Sequence, residues 1–269
     1  MSNYKYGFIG TGNMGGALAV AVCKAINPKE VIIADKQTVK AEIMAEDLGC
    51  HFAETNVVAS RAKFIFLGVK PQILEKVLLN IKPILEYRED RFILVTMAAG
   101  VDIATVNKIL GKDYPVIRIM PNTPVSVGKG MILYNCNNNV YMDEIGEFCD
   151  GLKYAGRLDK PDEKLIDAAS AISGCGPAFV YMFTESLADA GVECGLSRDK
   201  ALEYAAQTVS GAAELVLSSD THPAELKDRV CSPAGSTIAG VHALEKNSFR
   251  AGVIEAVNAS FKRTKELGK

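Results

Sequence analysis

The first half of the chain alternates short, unbroken apolar runs with segments whose apolar residues recur at helical spacing. The runs Tyr6–Gly10, Val31–Ala34, Lys63–Val69, Arg91–Thr96 and Val116–Met120 predict strands. They lack an alternating polar face, as expected for strands covered on both sides. Between them, Met14–Ile26, Val39–Leu48, Ile73–Leu79 and Ile103–Leu110 carry the helical spacing. Strands separated by helices are βαβ units and predict a mostly parallel sheet.

Near residue 160 the pattern changes. Pro161-Asp162-Glu163 places a proline early and acids in the first turn of a helix start. Beyond it strand-like runs nearly vanish and alanine is abundant. Ala178–Met182 is apolar all round, which predicts a buried helix, with a second subunit as one way to cover it. Phe249, Val253, Val257, Phe261 and Thr264 recur about every four residues and predict a closing amphipathic helix. The expected architecture is an α/β Rossmann-type domain over residues 1–160, followed by an all-α domain over 161–269.

The first strand runs into Gly7-Phe8-Ile9-Gly10-Thr11-Gly12-Asn13-Met14-Gly15-Gly16, which contains G-x-G-x-x-G ahead of a helix. In that pattern Gly10 makes a tight turn, Gly12 lets backbone approach a pyrophosphate and Gly15 lets helix pack on strand. The N–H groups of Thr11, Asn13 and Met14 and the positive end of the helix suit an anion. The second strand ends in Asp35, twenty residues beyond Gly15, where an acid can bind a ribose. These features predict a dinucleotide. Asp35 alone favours NAD, whereas Lys36 and Lys40 could meet a 2′-phosphate, so NADH and NADPH both stay open. Val69, Lys70 and Pro71 follow the next strand at its carboxyl end, where ligands bind in open α/β sheets. Met97-Ala98-Ala99-Gly100 ends the following strand in small residues that let a cofactor approach backbone.

In the second half, Ser173-Gly174-Cys175-Gly176-Pro177-Ala178 is a glycine-rich break between two helices. Ser232-Pro233-Ala234-Gly235-Ser236-Thr237 opens another helix with three hydroxyls and several N–H donors, a set suited to a carboxylate. Routine capping by Ser and Thr explains the same pattern.

Composition narrows the class. The chain has 269 residues, 48% apolar and 23% charged, with a net charge of −2. That balance argues against nucleic acid or an anionic membrane as partner. No apolar run approaches the ~18 residues of a membrane span, and the first residues show no signal peptide. Seven cysteines without a C-x-x-C pair predict reduced thiols in the cytoplasm. The three histidines lie far apart, which argues against zinc.

These residues together resemble the pyrroline-5-carboxylate reductase family over nearly the whole length. The resemblance rests on Gly7–Gly16, Val69-Lys70-Pro71, Met97–Gly100, Met120-Pro121-Asn122, Ser173–Ala178, Leu226-Lys227-Asp228 through Thr237, and the closing run with Arg263-Thr264. It implies NAD(P)H-dependent reduction of 1-pyrroline-5-carboxylate to L-proline. It also implies a homodimer whose helical domains interlock, often assembled further into a decamer. By resemblance, Thr237 lies closest to the imine nitrogen and relays a proton. Ser232 and the N–H groups of Gly235, Ser236 and Thr237 hold the carboxylate, Glu163 lies near the nicotinamide, and Asn56 caps a helix facing the adenosine. The chain departs from the family at Ala234, where glycine is common, at Cys175 and Cys231, where Ser or Thr is usual, and at Arg229, which replaces an amide. Alanine at 234 would be strained if that position needs positive φ.

Such a reaction suits a chain poor in histidine, since a protonated imine is already electrophilic and needs binding and orientation more than a strong acid. Two other readings are a β-hydroxyacid dehydrogenase and a cofactor-binding redox sensor. The former typically uses a lysine after a glycine-rich break, and none occurs between Ser173 and Arg198.

Overall fold

The computed structural model describes residues 4–267. Eight strands form one sheet: β1 Tyr4–Ile9, β2 Val31–Ala34, β3 His51–Phe52, β4 Ala62–Leu67, β5 Ile93–Thr96, β6 Val116–Met120, β7 Gly130–Cys136 and β8 Gly156–Asp159. Twelve α-helices are described: α1 Asn13–Ala25, α2 Thr38–Leu48, α3 Thr55–Arg61, α4 Pro71–Glu86, α5 Ile103–Leu110, α6 Met142–Gly151, α7 Glu163–Ser173, α8 Gly176–Glu193, α9 Arg198–Ser218, α10 Pro223–Arg229, α11 Ser236–Lys246 and α12 Phe249–Leu267.

The sheet order is β3-β2-β1-β4-β5-β6-β7-β8. All neighbours are parallel except β6 and β7. Register aligns Ala34, Ile9, Leu67 and Thr96 in one row across β2, β1, β4 and β5. The turns after these strands therefore emerge along one edge, with the order reversing at β1. That is where open α/β sheets form their ligand crevice.

Period-two geometry explains why the strand runs are apolar throughout. Tyr6, Phe8, Phe64 and Phe66 lie in one core cluster with Phe148 of α6 and Leu18 of α1. Ile9, Ile32, Ile65 and Leu67 belong to a second cluster with Leu74, Leu78 and Ile81 of α4. Alternate residues thus meet helices on opposite faces of the sheet. The sequence pattern did not predict β3, β7 and β8. β3 is two residues long, β7 is half-buried along much of its length, and β8 is Gly-Arg-Leu-Asp.

The chain divides into two compact units. One runs to Cys175 and includes the segment from Ser260, and the other is Gly176–Ala259. The boundary between these units lies after α7. The reason is packing: Ile166 of α7 is buried with Met120 and Leu133, against which Ala99 and Ala169 also pack. Asn122 ties the same helix down, since its Nδ2 donates to the Ser173 carbonyl at 2.8 Å while its Oδ1 accepts from Met131 N–H at 2.8 Å.

In the second unit, α8 and α9 meet through small residues: Ala188, Ala201 and Ala205 are buried, with Val192 against them. Ala178–Met182 is not buried within the chain as its composition predicted. Val180, Tyr181 and Met182 are 44%, 60% and 67% exposed. Glu163–Glu193 also reads as helix with a window of mean hydropathy 1.3, so it is long and apolar enough to cross a membrane by length and composition. The expectation of no such stretch is corrected to that extent. The glycine-rich break between α7 and α8 hid it from the sequence pattern.

Candidate active site

The site builds from the end of β1. Gly10 turns with φ +97, and its N–H donates to the Ala34 carbonyl at 2.8 Å. Gly68 N–H donates to the Ile9 carbonyl at 2.8 Å, stitching the β4 turn to the β1 turn. A Cβ on Gly15 or on Gly68 would collide with the Gly10 carbonyl oxygen. The start of α1 and the ends of two strands meet around that oxygen only because side chains are absent there.

Gly12 differs from its neighbours. It is the N-cap of α1, with an ordinary φ of −63 and no side-chain cap on the helix. A Cβ there would meet nothing within 4 Å. The first backbone bond of the helix runs from Gly16 N–H to the Gly12 carbonyl, so the N–H groups of Asn13, Met14 and Gly15 precede the intrahelical ladder. An uncapped helix start beside open space fits a pyrophosphate.

Asp35 sits at the end of β2 and is bound to this loop. Its Oδ2 accepts from Thr11 N–H at 2.7 Å and from the Thr11 hydroxyl at 3.2 Å, and its Oδ1 accepts from Gln37 N–H at 2.9 Å. Burial opposes the charge, but these bonds outweigh it and hold the carboxyl below the usual range. Lys36 and Lys40 flank a recess of about 510 Å³ with Thr38 and Ile43. Lys70 is the N-cap of α4 and exposed, with Pro71 in the first turn. Val69 and Ala99 are half-buried, whereas the Ala98 side chain is 1% exposed in the core. Asn56 does not cap α3. The N-cap is Glu54, and Asn56 Oδ1 instead accepts from Asn80 Nδ2 at 3.3 Å.

Glu163 opens α7 yet caps another helix: its Oε1 accepts from Ile103 N–H at 3.1 Å, at the start of α5. Asp102 caps the same helix through Thr105 N–H at 2.8 Å. Glu163 Oε1 also lies 3.8 Å from Arg118 Nη1, and Arg118 Nη2 donates to Asp167 Oδ1 at 2.6 Å. Sequence reasoning passed over Arg118 and Asp167, and gave Asn122 and Gly68 no role of their own. Arg118 was detectable as a charge inside the apolar run Val-Ile-Arg-Ile-Met, since a buried charge requires a partner.

In the second unit, Ser232–Gly235 forms a tight turn, with Gly235 N–H donating to the Ser232 carbonyl at 3.0 Å. That N–H is therefore engaged, which corrects its expected role as a carboxylate donor. Ala234 adopts φ +55, the left-handed conformation that makes alanine costly. Helix α11 starts at Ser236 with Gly235 as N-cap and no side-chain cap. The first-turn N–H groups of Ser236 and Thr237 thus point out of the helix start without an intrahelical partner, and Ser232, Ser236 and Thr237 are exposed. Arg229 pairs with Glu225 at 2.8 Å.

Comparison with known proteins gives two family matches: pyrroline-5-carboxylate reductase dimerisation over residues 163–267, and NADP oxidoreductase, coenzyme F420-dependent, over residues 5–100. The chain is 37% identical over 266 residues to the pyrroline-5-carboxylate reductase of Synechocystis sp., covering 98% of each chain. It is 37% identical to that of Escherichia coli, again covering 98% of each. Among solved structures, Plasmodium falciparum pyrroline carboxylate reductase with NADP bound matches at 36% identity and a TM-score of 0.87, covering 100% of each chain. The reductase from Coxiella burnetii matches at 30% and 0.90, also covering 100% of each.

Proposed function

The chain belongs to the pyrroline-5-carboxylate reductase family, and from that premise we propose that it reduces 1-pyrroline-5-carboxylate to L-proline with NADPH or NADH, the final step of proline biosynthesis. The observation that carries this reading is the pair of uncapped helix starts, one in each unit. The start of α1 lies open at Gly12, and the start of α11 is lined by hydroxyls.

When bound, the dihydronicotinamide supplies the hydride that reduces the ring C=N. Gly12, Asn13, Met14 and Gly15 hold the pyrophosphate by backbone, and Gly10 and Thr11, whose N–H groups bind Ala34 and Asp35, shape the loop that surrounds it. Asp35, Lys36 and Asn56 serve the adenosine side, and Val69, Lys70, Pro71, Ala98 and Ala99 serve the remainder of the dinucleotide. The N–H groups of Ser236 and Thr237 and the Ser232 hydroxyl hold the substrate carboxylate. The Thr237 hydroxyl hydrogen-bonds the ring nitrogen and relays its proton, because a threonine is too weak an acid to act alone. Glu163 lines the nicotinamide side.

The dimerisation match coincides with exposed apolar residues of α8, α9 and α12, including Met182, Leu217 and Ile254. These support a homodimer formed through the helical unit, with assembly to a decamer read by sizing. The seven free cysteines support a reducing compartment such as the cytoplasm.

The test is loss of reduced-nicotinamide absorbance on adding 1-pyrroline-5-carboxylate. Thr237→Ala is expected to lower kcat by about a hundredfold with cofactor affinity intact. A wild-type chain that binds cofactor without substrate-dependent oxidation, or a variant with unchanged kcat, would overturn the assignment. Oxidation of hydroxyacids by NAD instead would support the dehydrogenase reading.

A further inference from the structure

Arg118 is 3% exposed in the middle of β6, and burial on that scale is tolerated only with partners. Glu163 and Asp167 provide them from one face of α7, four residues apart. Asp167 Oδ2 is shared with Lys265 Nζ at 3.2 Å, so the end of α12 braces the same carboxylate. The cluster walls a recess of about 400 Å³ that also includes Gly100 and Asp102, directly after Ala98-Ala99.

The two carboxylates differ in what remains free. Asp167 uses both oxygens on cations and is 16% exposed. Glu163 is 36% exposed, and both of its protein contacts, Ile103 N–H and Arg118, use Oε1. Its Oε2 takes part in neither contact, and the carboxylate is oriented at the other oxygen. The Arg118 side chain is 4% exposed, so it works from beneath.

We propose that Arg118 is a positioning residue for this reaction: it fixes Glu163 at Oε1 so that the carboxylate, with Oε2 outside those contacts, presents an oriented negative charge to the positive charge of a protonated cyclic imine. This rests on the reading of the chain as an imine reductase. Arg118 acts only through Glu163, and Asp167 with Lys265 fixes Arg118 in turn. Without the guanidinium, Glu163 keeps its helix-cap bond but gains rotamers, and the cationic substrate loses an oriented counter-charge.

A double-mutant cycle tests it. Arg118→Lys is expected to raise KM for 1-pyrroline-5-carboxylate about tenfold, with the Kd of NADPH, read by fluorescence titration, moving less than about twofold. Glu163→Gln should raise KM similarly, and Arg118→Lys in that background should add less than about twofold. Multiplicative effects, an unchanged KM or an equal shift in NADPH Kd would overturn the proposal. Should Arg118→Lys fail to fold by circular dichroism, Asp167→Asn replaces it in the same cycle, with the same outcomes deciding. A wild-type enzyme that turns over beside an additive cycle removes only the role of Arg118. A wild-type enzyme inert toward the imine removes the function as well.

Discussion

The main-chain N–H of Thr11 donates to Asp35 Oδ2 at 2.7 Å, tying the glycine loop to the end of the neighbouring strand. Spacing alone presents Asp35 as a ribose ligand. The structure makes it a brace first, with both carboxylate oxygens bound to backbone donors. Asp35→Asn places an amide NH2 against one of those N–H groups. Affinity for both NADH and NADPH should fall about tenfold, since a donor is left unpaired. Fluorescence titration checks this, and an unchanged Kd for both would reject the brace. The pH dependence follows from the lowered carboxyl value. A group depressed in the fold contributes above the ordinary value of about 3.9. The brace should hold throughout the neutral range and fail only as pH drops through the lowered folded value.

Beside this brace, the recess at Lys36 and Lys40 gives a test of cofactor choice. Both lysines are exposed beside Asp35, where their positive charges suit a 2′-phosphate. The double variant Lys36→Ala/Lys40→Ala should weaken NADPH by about tenfold while moving NADH by less than about twofold. Equal loss for the two cofactors, measured by KM under saturating imine, would place the lysines outside the 2′-phosphate site.

What could be read in advance followed physical locality. Gly10, Gly12 and Gly15 lie in one strand-turn-helix, and that motif is written in order along the chain, whereas the contacts of Gly10 with Ala34 and Gly68 are not. Five of the six inner strands were legible because burial on two faces leaves a mostly apolar run, whereas the half-buried β7 was not. The partners of Glu163 were not, because Ile103, Arg118 and Asp167 converge from three elements and no local pattern encodes that meeting. The packing of α7 is not local either: composition marks it as helical, while its burial with Met120 and Leu133 depends on strands distant in sequence. Ala178–Met182 shows the opposite limit. Hydropathy said covered, yet Val180, Tyr181 and Met182 are exposed within the single chain.

Ala234 keeps a left-handed φ of +55 in the turn ahead of α11. The conformation is held because Gly235 N–H must reach the Ser232 carbonyl, with the Ser232 hydroxyl packed against Gly235. Alanine in that region costs about 1 kcal/mol, partly offset by the greater freedom glycine brings to the unfolded chain. Ala234→Gly should leave stability equal or raise it by up to about 1 kcal/mol, whereas Ala234→Val should lower it by about 2 kcal/mol. Denaturant melts decide between them. A marked loss on Ala234→Gly would mean the methyl group makes a contact that outweighs the strain.

Gly12 and Gly15 separate binding from folding within four residues. At Gly12 the backbone is ordinary and a Cβ meets nothing, so the fold itself makes no demand for glycine. At Gly15 a Cβ strikes the Gly10 carbonyl oxygen, which is backbone and cannot rotate aside. Gly12→Val should therefore fold with stability within about 1 kcal/mol of wild type yet lose cofactor binding, because the new side chain fills the space left for pyrophosphate. Gly15→Ala should lose about 3 kcal/mol by forcing helix from strand, with cofactor affinity lost as a consequence. Thermal melts and NADPH titration on both variants distinguish the two causes. Binding retained by Gly12→Val would move the pyrophosphate away from this helix start, and full stability in Gly15→Ala would show that the close approach of α1 to the strand ends is not required.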